Sequence, residues 1–443
     1  MKRIVVLGSG FAGMQAVIDL ERLFRKAPDY EILLISDQNY VLFTPLLPQI
    51  ASSQIDPRHI AQAVRDVRGS RRFRFLRDTV SAIDLANRRI DMTSGAISYD
   101  SLVITLGSRT NYFGVSGARE HTYDFKSLED SIALRERVLD LCEHADHLTD
   151  ENARHTLLTF AVVGGGYTGV ELLTDLRDFL FDYVARHYRG IPRNAIRLVL
   201  VEASDSILNG IHPLLRAHAM KRLKAEGIEI LYNSRVTRCF EGGIEIHQKE
   251  NLQAATIIWT AGVRAHEVVE ELPGSHDRAG RAQVNEYLQM ENFPEVFVAG
   301  DSAAASSAAG ASENVPQVAP VAIAHGKIAA RNLAHRERDE PLESYRYVSQ
   351  GMLVSLGARD AVVSVGGIQI HGSFAWLFWN AVHLYKLVNL KKQFQVAVDW
   401  SLGTIFPRDT VLFRRPSACK LCAAESAAPA PVTAASEAKR TTV

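Results

Sequence analysis

GSGFAG at residues 8–13 follows the apolar run Ile4–Leu7 and opens a segment, about Ala12 to Phe24, whose apolar residues recur at helical spacing; Glu31 to Ile35 then returns as a strand. This is a βαβ unit with a glycine-rich first turn. In such a turn Gly8 permits the tight bend, Gly10 lets the backbone approach a diphosphate, and Gly13 lets the helix pack closely on the strand. The diphosphate then rests on backbone N–H groups at the positive end of the helix. A carboxylate near the end of the second strand binds the adenosine ribose, and the candidate is Asp37, preceded by Ser36 and displaced by one position.

GGGYTG at residues 164–169 repeats the pattern: strand Thr159–Val163, the turn with Gly164, Gly166 and Gly169, a helix from Thr168, and strand Arg197–Val201 ending in Glu202. A lone GxGxxG is weak evidence, but two of them in strand–turn–helix context predict two bound dinucleotides. Glu202 is placed to accept both ribose hydroxyls of a nicotinamide nucleotide. Its carboxylate repels a 2′-phosphate, and Ala203, Ser204 and Asp205 supply no arginine to receive one, so NADH is favoured over NADPH. A strand-end acid standing merely in solvent is the bland alternative.

The intervening chain supplies strand Leu102–Leu106 before Gly107, a linker at Thr110–Gly117 and a helix at Leu128–Ala145. Strand Thr256–Thr260, ending in Ala261-Gly262, closes the second lobe. Strand Glu295–Ala299, ending in Gly300-Asp301, returns to the first, and a helix at Val321–Arg336 points its N-terminal dipole toward the first cofactor.

The 443 residues are 47% hydrophobic, which suits several packed domains, and Lys plus Arg balance Asp plus Glu at 50 each. No global field favours nucleic acid, which is excluded as an expected partner. Lys2 and Arg3 before an apolar run do not make a signal peptide, because Gly8, Gly10 and Gly13 interrupt the run and Asp19 follows. Four cysteines in so long a chain are no disulfide framework; Cys142 and Cys239 are isolated and fit a reducing cytoplasm, and no metal site is expected.

With these motifs in order, the chain resembles the two-dinucleotide-binding flavoproteins, and more narrowly the type II NADH dehydrogenases. The resemblance rests on GSGFAG, NYVLFTPLLPQIA (39–51), GGGYTGVEL (164–172), VEA (201–203), TAGV (260–263), VAGD (298–301) and VAPVAIAHG (318–326), and only the tail after about Pro416 falls outside it. It implies non-covalent FAD in the first lobe, NADH in the second, reduction of a membrane quinone, and no proton pumping. It assigns Gly8, Gly10, Gly13, Thr44, Pro45, Gly107 and Asp301 to FAD, with a plain loop acid as the alternative for Asp301; Phe11, Ala12, Ser36, Asp37 and Ala322 are further cofactor-binding candidates. Gly164, Gly166, Gly169, Glu202 and Gly262 fall to the nicotinamide nucleotide, and Glu171 is the carboxylate nearest both substrates, with a simple helix-start acid as its alternative. One departure stands out: where relatives carry glutamines in the helix approaching flavin and quinone, this chain has Pro320, Ala324 and His325. His325 is therefore either a hydrogen-bond donor to quinone, a tuner of reduced flavin, or a neutral histidine packed beside cofactor.

From Ser373 the chain reads SFAWLFWNAVHLYKLVNLKKQFQVAVDW. Its uncharged run ends at Lys386, short of the about twenty residues a span needs, and lysines among tryptophans fit an amphipathic segment lying in the headgroup region. A core helix or a dimer interface is the alternative.

The expected fold is α/β, with two Rossmann-like dinucleotide-binding domains and a C-terminal membrane-associating region. Its limits fall at 1–115 and 283–345 for the FAD domain, 116–282 for the NADH domain, 346–415 for the membrane region and 416–443 for a disordered Ala-, Pro- and Ser-rich tail. Cys419 and Cys422 in that tail form a lone CxxC that completes neither a zinc site nor a redox motif. The expected setting is the cytoplasmic face of the cell membrane, as part of a respiratory electron-transport chain, with a homodimer left open. With no cysteine pair beside the flavin motifs, disulfide reduction and sulfide oxidation are disfavoured. Two rivals stay open: a soluble NADH-dependent reductase of a ferredoxin-like protein, and a non-enzymatic NADH-responsive flavoprotein.

Overall fold

A computed structural model describes residues 1–67, 73–306, 314–387 and 389–412; the tail with Cys419 and Cys422 lies outside the described residues. The first glycine turn joins strand Lys2–Leu7 to helix Phe11–Leu23, and strand Tyr30–Ser36 lies parallel beside the first, Leu7 opposite Ile35. These strands are almost wholly apolar because both faces of a parallel sheet are covered. The complete sheet has six strands in the order Gln289–Met290, Phe293–Val298, Ser101–Ile104, Lys2–Leu7, Tyr30–Ser36, Arg74–Arg77, and only its outermost pair, at residues 289–298, is antiparallel. Helix Ala319–Glu337 packs along Phe11–Leu23, where a side chain at Gly326 would collide with the Ala12 carbonyl.

The second lobe is a five-stranded parallel sheet in the order Tyr123–Asp124, Thr256–Trp259, Thr159–Val163, Arg197–Val201, Glu229–Leu231. Its glycine turn opens helix Tyr167–Phe179, and a long helix, Leu128–His147, covers the sheet. That helix starts where Ser127 and Asp130 form a reciprocal capping box. Just before the segment expected as a linker, and overlapping it only at Thr110, Ser108–Thr110 pairs antiparallel with Val263–Ala265.

After helix Ala319–Glu337 comes a three-stranded antiparallel sheet, Met352–Ser355, Ala361–Val365 and Ile368–His371, then helices Ser373–Lys386 and Leu390–Leu402. The first helix turns Ala375 and Trp379 inward while Phe374, Leu377, Phe378 and Tyr385 stay exposed, Phe374 to 78%. Leu390, Phe394 (71% exposed) and Leu402 on the second helix, and Ile405 and Phe406 just past it, are exposed as well. Among the described residues, no helix is long and apolar enough to cross a membrane.

Candidate functional site

The two glycine turns are built by one device. Gly8 and Gly164 take φ of +97° and +114°, a region costly for any side chain. A Cβ at Gly13 would collide with the Gly8 carbonyl oxygen, and one at Gly169 with that of Gly164. Each turn is then tied from the neighbouring strand by a threonine. The Thr105 hydroxyl donates to the Leu7 carbonyl (2.6 Å) and reaches that of Gly8 (3.2 Å); the Thr260 hydroxyl does the same to Val163 (3.0 Å) and Gly164 (3.2 Å).

Both helices begin at a glycine N-cap, Gly10 or Gly166, with no side-chain cap and no acid in the first turn, and the space a Cβ would enter at either glycine is open. Free helix N–H groups beside open space are what a diphosphate requires. The residues present therefore fit a dinucleotide in each lobe.

Around the first turn, Ser36 is buried and shares a hydrogen bond with Ser9 (3.0 Å), leaving Asp37, just past the strand end, as the exposed carboxylate. Thr44 and Pro45 form a single 3₁₀ turn directly after buried Phe43, whose ring makes an edge contact with Phe11 (6.1 Å). On the far side, the Ser302 hydroxyl meets the Gly107 N–H (3.0 Å), and the Ser108 hydroxyl donates to Asp301 Oδ2 (2.5 Å). Lys126 comes from the other lobe to 3.9 Å from Asp301, and burial holds its ammonium below the usual range. Ala322 packs in the first turn of its helix against Gly300.

His325, three residues further along the same helix, is fully buried. Its Nδ1 accepts from the Gly300 N–H (3.2 Å), its ring meets Tyr345 edge-on (4.4 Å), and Nε2 has no hydrogen-bond partner among the described residues. Burial, with Arg281 nearby, pushes the imidazole down to about 3, so it is neutral. It is fully buried against the Gly300–Asp301 loop and is tied to that loop through the Gly300 N–H.

In the second lobe Glu202 Oε2 accepts from the Gly165 N–H (2.7 Å) and Oε1 from the Ser204 N–H (2.7 Å) and hydroxyl (2.8 Å). The carboxylate is fixed at the strand end, facing the turn. Gly165, not singled out in the sequence, is needed here: a Cβ would lie 2.9 Å from Glu202 Oε2. Gly262 sits under the ring of Phe113, and its carbonyl accepts from the Asn111 N–H (3.0 Å).

Glu171 lies one turn into the Tyr167–Phe179 helix and is held from the C-terminal region. Its Oε1 accepts from the Ser355 N–H (2.9 Å), and the buried indole N–H of Trp379, which has no fully formed hydrogen bond, faces the same carboxyl group. Burial pushes the carboxyl up to about 8, and Asp175 one turn on adds to the rise. Asp175 is itself pushed up to about 7 by burial. The C-terminal helices are in turn tied to the chain after Thr44-Pro45: Trp400 Nε1 donates to Gln49 (2.8 Å), His59 pairs with Asp399 (2.5 Å), and Arg408 donates to the Ser52 carbonyl (2.9 Å). Both cysteines within the described residues, Cys142 and Cys239, are buried and unbridged, and burial raises both thiols. No metal-ligating cluster occurs among the described residues.

Residues 2–326 match the pyridine nucleotide-disulphide oxidoreductase family, and residues 349–409 match the NDH2 C-terminal domain. A type II NADH:quinone oxidoreductase, Ndh, from Mycobacterium tuberculosis is 32% identical over 422 residues, covering 92% of this chain and 89% of that protein. A type II NADH:quinone oxidoreductase from Staphylococcus aureus is 27% identical over 398 residues, covering 89% and 96%. Among solved structures, NDH2 from Plasmodium falciparum in complex with NADH superposes with a TM-score of 0.83 at 19% identity, covering 93% of this chain and 99% of that one, a likeness of fold.

Proposed function

The chain belongs to the pyridine nucleotide-disulphide oxidoreductase family, as a type II NADH:quinone oxidoreductase, and we propose that it oxidises NADH and reduces a membrane quinone without pumping protons. The observation that carries this reading is the duplicated, threonine-tied glycine cradle, together with a neutral carboxyl, Glu171, clasped by the C-terminal region.

FAD is the flavin for the first lobe, held by the Gly8–Gly13 turn, Asp37, Thr44-Pro45, Gly107 and Asp301. When bound, it supplies the two-electron carrier that joins a hydride donor to a quinone. The chain's own residues bind, orient and move one proton. Glu202 takes the adenosine ribose of NADH and discriminates against a 2′-phosphate. Glu171, neutral below about pH 8, holds the proton that a reduced quinone oxygen needs, and Ser355 orients it. His325 and Lys126 are positioning residues around the Gly300–Asp301 loop. The exposed Phe374, Leu377, Phe378 and Phe394 enter the interfacial region of the bilayer, on the cytoplasmic face.

The domain limits stated above and a homodimeric assembly belong to the same proposal. Anaerobic stopped-flow tests it: NADH is expected to reduce the bound flavin, and a short-chain quinone to reoxidise it quickly. Fast reoxidation by a ferredoxin with slow reoxidation by quinone would favour the soluble reductase instead.

A further inference from the structure

Inward from the apolar face of helix Ser373–Lys386, His383 stacks on Trp379 (3.9 Å between centroids, 24° between planes). On its other side its ring meets Phe43 edge-on (6.1 Å, 77°), and Phe43 meets Phe11 of the first glycine turn. The imidazole thus stands between the two groups that must converge on an acceptor: the Phe11–Phe43 side, next to Thr44-Pro45, and the Trp379–Glu171 side. It does so on the helix whose outer face exposes Phe374, Leu377, Phe378 and Tyr385.

The hydrogen bonding of this ring fixes its chemistry. Nδ1 lies 2.7 Å from the Trp379 carbonyl, which can only accept, so the proton is on Nδ1. Nε2 is then a bare lone pair. It has no hydrogen bond among the described residues, and the side chain is only partly buried, which leaves Nε2 for a ligand. Burial, with Lys386 nearby, pushes the imidazole down to about 4, so it stays neutral through the working range.

Resting on the quinone-reductase reading, we propose that His383 Nε2 binds the headgroup of the acceptor as a hydrogen-bond acceptor, and therefore recognises the hydroquinone hydroxyl rather than the quinone carbonyl. A carbonyl offers no proton to a bare nitrogen. An O–H does, so the contact forms only once the headgroup has been reduced. Glu171, which carries its own proton, can donate to a carbonyl, and the two side chains divide the two redox forms between them.

The test is anaerobic calorimetry on flavin-loaded enzyme with duroquinol and duroquinone. His383→Phe keeps the ring contacts and deletes the acceptor. Duroquinol affinity is expected to fall about tenfold and duroquinone affinity by less than about threefold, with NADH affinity unchanged. His383→Gln, which restores an acceptor, is expected to recover most of the loss. In wild-type enzyme labelled with ¹⁵N-histidine, the unprotonated Nε2 resonance is expected to move upfield with duroquinol and stay in place with duroquinone. Unchanged duroquinol affinity in His383→Phe, or no ¹⁵N response in the wild type, overturns the proposal. Wild-type enzyme that binds neither form, or is not reduced by NADH, overturns instead the functional reading beneath it.

Discussion

The backbone N–H of Ser355 donates to Glu171 Oε1 at 2.9 Å across 184 residues of chain. A strand of the C-terminal sheet thereby holds a carboxyl group on the helix that follows the second glycine turn. The region that carries the exposed apolar helices therefore sets the surroundings of Glu171. Burying Glu171 against it keeps the carboxyl protonated near neutral pH.

Glu171→Gln is expected to slow quinone-dependent turnover roughly 10²-fold while leaving flavin reduction by NADH within about threefold. In the wild type the quinone step should decline as pH rises through about 8, where Glu171 loses its proton, and the variant should lack this limb. Stopped-flow of the two half-reactions across pH 6 to 10, roughly the range that brackets this titration, checks both.

The same group predicts a stability change. An acid whose folded value lies above its unfolded one retains a proton the unfolded chain has released, so its contribution falls between about pH 4.5 and about 8. Glu171→Gln should therefore be more stable than wild type at pH 8 by roughly 1–3 kcal/mol, a figure reduced for the partial exposure of the residue, and nearly equal at pH 4.5. Denaturant melts at the two pH values decide it.

Gly13→Ala and Gly169→Ala separate the two cradles. Each Cβ would strike the carbonyl that starts its own turn, so the first variant should purify without flavin. The second should keep its flavin yet need roughly tenfold or more NADH for half-saturation. Flavin content by absorbance and NADH titration report the two outcomes.

Glu202→Gln removes the charge while leaving an oxygen for the Gly165 and Ser204 donors. NADH affinity should fall roughly tenfold and the preference over NADPH should narrow. A preference left intact would take Glu202 out of the ribose site.

Replacing Phe374, Leu377 and Phe378 with serine removes exposed apolar surface from the face opposite Trp379. The triple variant should leave the membrane fraction and keep its flavin and its NADH-driven reduction of a water-soluble acceptor.

The architecture was legible because its signals are local. Glycine spacing, apolar runs and Glu202 at a strand end each occupy a few consecutive residues, and the two parallel sheets follow from them. The pairing of Thr105 with Leu7 and Thr260 with Val163 had a sequence trace, T-x-G after the strand in both ITLG and WTAG, visible once the lobes are laid side by side. By contrast Ser302 on Gly107, Lys126 beside Asp301, and Ser355 with Trp379 around Glu171 join residues far apart in the chain, and nothing in their neighbours marks them. His325 shows the limit of reading a motif position: its neutrality comes from burial behind Gly300, which only the packed helix provides.

The most direct measurement is an anaerobic titration of the purified, flavin-containing protein with NADH, followed by a short-chain quinone. One equivalent of NADH is expected to bleach the visible flavin band and one equivalent of quinone to restore it. A protein that takes up no flavin, or a reduced flavin that quinone leaves bleached, would contradict that expectation.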